Sequence, residues 1–133
     1  MESLASLTKR KNTASVRLTR KSKLFSTIIA AIQEKKGEQI VSLDLRKIPE
    51  AVSDFFIVCT ANSQPQVKAI ADNIENCVKE NCGENVFHKE GFQYLQWVLM
   101  DYANVVIHVM QDETRKFYNL EEMWSDAPSQ EHE

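Results

Sequence analysis

The sequence predicts an α/β (α+β) domain: one mixed β-sheet with helices packed on it, in the order α-β-β-α-(β)-β-β-α. Three observations lead there. Helical and strand periodicities interleave along the chain. One strand is apolar almost throughout. The last two strands read as a hairpin, which adds an antiparallel pair to the sheet.

Taken in order, residues 1–21 form a basic, Ser/Thr-rich arm that reads as disordered. From Ser22 the pattern is helical, with Leu24, Phe25, Ile28, Ile29 and Ile32 on one side and Gly37 as the stop. The run QIVSLDL (39–45) reads as a strand, broken at Ile48-Pro49. DFFIVCTA (54–61) is a second strand, expected to be buried on both faces. SQPQ (63–66) starts a helix: Ser63 caps, Pro65 fits the first turn and Gln66 completes a Ser-x-x-Gln box. Val67, Ile70, Ala71, Ile74, Cys77 and Val78 make its apolar stripe, and Gly83 ends it. A short strand near VFHKEG (86–91) precedes the hairpin WVLMDYANVVIHVM (97–110), which turns at Ala103-Asn104. One last helix is expected from Glu113 to Trp124, with Phe117, Leu120 and Trp124 packing inward. Residues 128–133 read as a frayed end, so the folded domain spans 22–127.

The chain of 133 residues suits one domain, and no apolar run approaches membrane-helix length. The expectation is a soluble, cytoplasmic protein without membrane contact. A basic, acid-poor start also resembles an organelle transit peptide, but it is not clearly amphipathic. Three cysteines, Cys59, Cys77 and Cys82, form no Cys-x-x-Cys pair, which argues against a disulfide framework or a zinc site. The net charge of −3 is lopsided. Residues 1–23 hold seven basic side chains against Glu2, while the remainder holds 9 basic and 18 acidic ones. An acidic body with a basic arm leaves open contact between the arm and ribonucleic acid.

The hairpin carries the functional question. A two-residue turn pairs Tyr102 with Val105, Asp101 with Val106, Leu99 with His108 and Trp97 with Met110. Val98, Met100, Tyr102, Val105, Ile107 and Val109 then face the core. Trp97, Leu99, Asp101, Val106, His108 and Met110 share the opposite face, too apolar for solvent and too polar for a simple core. Such a face is covered by a helix or used for binding, and its aromatic content suits a protein interface. The candidate partner-binding residues are Trp97, Leu99, Asp101, His108, Met110, Tyr118 and Glu121. Catalysis is the weaker reading. Asp101 meets His108 only diagonally, no nucleophile elbow or metal-ligand spacing occurs, and the three glycines form no phosphate loop. No cofactor or metal is expected.

The blocks SDFFIVCTANSQPQVKAIADNI, then Glu90-Gly91, then the hairpin, then RKFYNLEEMW (115–124) resemble the ribosomal silencing factor family, also called Iojap-like. The resemblance covers about residues 22 to 127. It implies a fold similar to nucleotidyltransferases and binding to the large ribosomal subunit through ribosomal protein number fourteen. Bound there, the factor blocks subunit association and represses translation under nutrient limitation. The resemblance leaves open a homodimer and contact of the arm with ribosomal RNA. The alternative is a degenerate or atypical nucleotidyltransferase. That chemistry needs a Gly-Ser turn and paired carboxylates for two metals, and here SLDL offers only Asp44 and no Gly-Ser exists. Two departures stand out: Ala103 sits where the family often has Gly, and the basic arm lies outside the match.

Overall fold

A computed structural model describes residues 22–133. The expected disordered arm, residues 1–21, lies outside the described residues. A six-stranded sheet has the order β3-β4-β5-β2-β1-β6. Its strands are β1 (Glu38–Asp44), β2 (Phe55–Ala61), β3 (His88–Glu90), β4 (Trp97–Asp101), β5 (Val105–Gln111) and β6 (Ser129–His132). The β2–β5 pair is parallel and every other pair is antiparallel, so the sheet is mixed. All seven residues of β2 are buried, as its unbroken apolar run predicts for a strand covered on both faces. Burial there pushes the Cys59 thiol up to about 12, which keeps it protonated and unreactive.

One face of the sheet is covered by α1 (Lys23–Glu34) and α2 (Gln64–Cys82). The predicted stripes are the ones that pack. Leu24, Phe25, Ile28 and Ile32 of α1 meet Val67, Ile70, Ala71, Ile74 and Val78 of α2 over Phe55, Ile57, Val98, Ile107 and Val109. Phe25 meets Phe55 edge-on, with ring centroids 5.3 Å apart. The capping box forms with a shift of one residue. Ser63 accepts from the Gln66 backbone at 3.2 Å, but the Gln66 side chain returns to the Asn62 N–H at 2.7 Å rather than to Ser63. Its amide also donates to the carbonyls of Lys35 and Lys36, so one side chain ties the start of α2 to the end of α1. Gly37 follows α1, but Lys36 takes the left-handed conformation, at φ 66°. Glycine is needed at 37 for close approach: a Cβ there would lie 2.4 Å from an Ile32 methyl carbon.

Two expectations fail on the other face. The first is the frayed end, since Ser129–His132 forms the edge strand β6 on β1. The Pro128 carbonyl accepts from Asp44, Ala127 is buried against Leu43, Leu45 and Phe56, and His132 Nε2 lies 2.8 Å from Ser42 Oγ. An edge strand is held by backbone bonds and tolerates charged side chains, so SQEH carries no apolar signature. The second is the single last helix. Asn119 adopts φ 46° and splits it into α3 (Asp112–Tyr118) and α4 (Leu120–Met123). Asparagine tolerates this left-handed break better than most residues. The i, i+3, i+7 stripe needs a continuous helix, so it is lost. Leu120 still packs on Val58 and Met110, whereas Phe117 turns out to solvent at 81% exposure.

Candidate functional site

The β4–β5 hairpin has the predicted register, with Trp97 opposite Met110, Leu99 opposite His108 and Asp101 opposite Val106. Its first face is core: Val98, Met100, Tyr102, Val105, Ile107 and Val109 are all buried. The turn is tighter than a plain two-residue loop. Asn104 N–H donates to the Tyr102 carbonyl at 2.9 Å, which closes a γ-turn on Ala103 at φ 71°. Asp101 Oδ1 accepts from the Ala103 N–H at 2.7 Å and braces it. An alanine held there is strained, so Ala103→Gly is expected to stabilise the protein by about 0.5–1 kcal/mol, net of glycine's greater unfolded freedom. Urea titration of both proteins checks this, and an unchanged or lower midpoint would contradict it.

The second face is only partly open. Asp101, Val106, His108 and Met110 are buried, whereas Trp97 and Leu99 are half-buried. Asp101, His108 and Met110, expected as contact residues, are thus covered by the chain itself in this conformation. Segment 112–127 lies over β1, β2 and β5, with Ala127 and Trp124 in the cluster of Val106 and Leu120 in that of Met110. Asp101 supports the turn, Met110 packs with Val58 and Leu120, and His108 supports its neighbours.

Those neighbours form a chain of rings from solvent to core. Phe117 meets Tyr118 edge-on at 5.0 Å, and Tyr118 lies 4.8 Å from Trp97. Trp97 donates its indole Nε1–H to His108 Nδ1 at 3.0 Å. His108 meets Phe56 edge-on at 4.7 Å, and Phe56 meets Trp124 at 5.9 Å. Desolvation lowers the His108 pKa to about 3, which keeps the ring neutral and able to accept. Gly91 supports the same strand from below. It sits at φ 90°, and a Cβ there would lie 1.9 Å from the Trp97 carbonyl oxygen, so only glycine lets the β3–β4 connection approach so closely.

Arg115 fixes the outer wall of the face. It is 7% exposed and donates to the Gln39 carbonyl at 2.6 Å, to Thr60 Oγ1 at 2.9 Å and to both Glu121 carboxylate oxygens at 3.2 Å. Gln39 itself is held at φ 49° in the β1 irregularity, so the guanidinium joins α3, α4, β1 and β2. Glu121, a predicted contact residue, is thus first an ion-pair partner at the rim. Sequence reading missed Arg115, Phe117, Phe56 and Trp124 as site residues. The Arg115–Glu121 spacing of six matches no helical neighbour rule. It becomes a pair only because the chain breaks at Asn119.

An open cleft of about 1040 Å³ lies beside this wall, lined by Lys36, Gln39, Arg115, Lys116, Asn119 and His132 among others. Glu38, Glu121 and Glu131 on the same lining make its charge mixed. Among the described residues no three His, Cys, Asp or Glu side chains are grouped to hold a metal ion. No described helix is long and apolar enough to cross a membrane.

The fold and this face together define a small α+β protein with an aromatic patch at its surface, the kind of surface protein interfaces use. Residues 19–133 match the family described as "Ribosomal silencing factor during starvation". The chain belongs to the ribosomal silencing factor family. It is 44% identical over 99 residues to the ribosomal silencing factor of Bacillus subtilis, covering 74% of this chain and 82% of that one. It is 39% identical over 110 residues to that of Halalkalibacterium halodurans, covering 83% and 92%. A crystal structure of a protein from Chromobacterium violaceum matches with a TM-score of 0.73 at 34% identity, covering 77% of this chain and 84% of that one.

Proposed function

We propose that the protein docks on the large ribosomal subunit through ribosomal protein number fourteen and blocks subunit association by occupying the space of the small subunit. Translation falls when nutrients are short because fewer subunits join. No turnover is involved, and the protein acts in the cytoplasm. The observation that carries this reading is the aromatic patch of Phe117, Tyr118 and Trp97, continuous by ring contacts and open to solvent at its outer end. Interface anchors are typically aromatic and central, with charge at the rim. Trp97, Leu99 and Tyr118 are the contact residues retained from the sequence reading, Glu121 sits at the rim, and Phe117 joins them. The basic arm adds a salt-dependent contact with ribosomal RNA.

Co-sedimentation of the full chain with separated subunits tests this. Wild type is expected to pellet with large subunits and to reduce their joining with small ones. Trp97→Ala is expected to weaken that association by about 2 kcal/mol or more, roughly thirtyfold. Because Trp97 is half-buried, its melting temperature is read alongside. Unchanged co-sedimentation would remove Trp97 from the interface, and saturable nucleotide and Mg²⁺ binding in calorimetry would favour a nucleotidyltransferase instead.

A further inference from the structure

His108 is a poor choice for the stability of this face. Its ring is buried beside Phe56, Leu99, Val58 and Trp97, in surroundings that an aliphatic side chain would suit. Nδ1 accepts the indole N–H, so in the neutral ring the proton sits on Nε2. Nε2 is buried without a hydrogen-bond partner among the described residues. A buried donor left unpaired costs stability, whereas an apolar residue of similar shape costs none. Trp97 itself is only half-buried, so its ring remains partly open to solvent. Local rules broken at a cost mark functional positions.

We propose that His108 is a positioning residue for docking: it holds the indole N–H of Trp97 and so presents the ring, already set against Tyr118, to the partner. This rests on the docking reading of Trp97 given above. Preorganisation of an anchor raises affinity by removing the cost of ordering it on binding. A second consequence concerns what the partner reads. The indole N–H is consumed inside the protein, so the complementary surface meets the face and edge of the ring and offers no acceptor to its nitrogen. An apolar or cationic side chain packed on the indole fits this requirement.

The test uses the full chain and isolated large ribosomal subunits, with His108→Leu, His108→Asn and Trp97→Ala. His108→Leu is expected to melt at or above the wild-type temperature yet to bind about tenfold more weakly. Its Trp97 indole N–H should exchange with solvent faster. His108→Asn, whose side-chain carbonyl can stand near the Nδ1 position, should recover most of the binding. A His108→Leu protein that binds like wild type overturns the proposal, as does one that loses stability and binding together without recovery by Asn. Nitrogen-15 shifts of the wild-type imidazole give a check free of folding effects: protonated Nε2 is expected at neutral pH, and protonated Nδ1 would refute the hydrogen bond. If Trp97→Ala binds normally, the docking reading itself fails. A normal His108→Leu beside a weak Trp97→Ala removes the positioning role alone.

Discussion

Arg115→Ala is expected to lower the free energy of unfolding by about 3 kcal/mol. The guanidinium is buried and satisfies three separate elements: the Gln39 carbonyl, the Thr60 hydroxyl and the Glu121 carboxylate. Removing it strands a backbone carbonyl at a left-handed residue and leaves Glu121 without its partner. Breaking a buried pair from one side typically costs about 3–5 kcal/mol, and the lower end applies because the Glu121 side chain is 35% exposed and stays partly hydrated. Arg115→Lys should recover only part of this, since an ammonium cannot span the same fork of acceptors. Chemical denaturation of the three proteins measures the effect. A loss below about 1 kcal/mol for Arg115→Ala would class the contact with ordinary solvated surface pairs. Since α3 carries Phe117 and Tyr118, the same substitution should also loosen the aromatic patch.

Acidification is expected to destabilise the wild type from pH 6.5 downward, through His108. Burial lowers its pKa in the folded protein to about 3, while the unfolded chain titrates near the ordinary value of 6.5. Between these values the unfolded state binds a proton that the native state refuses, so stability falls as pH falls and is complete above 6.5. Each unit is worth about 1.4 kcal/mol, so moving from pH 6.5 to 5 should cost roughly 2 kcal/mol and the full window roughly 4. The upper part of that window lies above the ordinary carboxylate range, which isolates histidine. His88 and His132 are both retained in His108→Leu. The difference in slope between wild type and His108→Leu therefore belongs to position 108. Parallel stability–pH curves for the two proteins would mean that His108 is hydrated and charged in the native state.

Much of the fold could be read without coordinates because its signals are local. The stripes of α1 and α2, the Ser63 cap, the Gly83 stop and the unbroken apolar run of β2 each lie within a few residues of one another. The hairpin register was equally legible, since alternation fixes facing once a turn is placed. The site was legible only in part. Trp97 and Tyr118 could be singled out because an aromatic on a mixed face is itself informative, and the structure places their rings 4.8 Å apart. Asp101, His108 and Met110 were read as contacts because alternation tells which residues share a face, not what lies on top of it.

By itself, then, the sequence determined the order of elements through the hairpin, the mixed sheet and the core face of the hairpin. All of these follow from periodicity and short-range spacing. Only the tertiary structure decided three further matters. Four polar residues, SQEH, became strand β6 because β1 offered an unpaired edge to their backbone. Arg115 and Glu121, six apart, became a pair because Asn119 turned the chain between them. The second hairpin face was divided into a buried part and a half-covered part by segment 112–127, which packs across β1, β2 and β5. Which side chains are covered depends on contacts between segments far apart in the chain. Such contacts leave no period in the sequence, because the residues that make them are chosen by shape and pairing in space rather than by their neighbours.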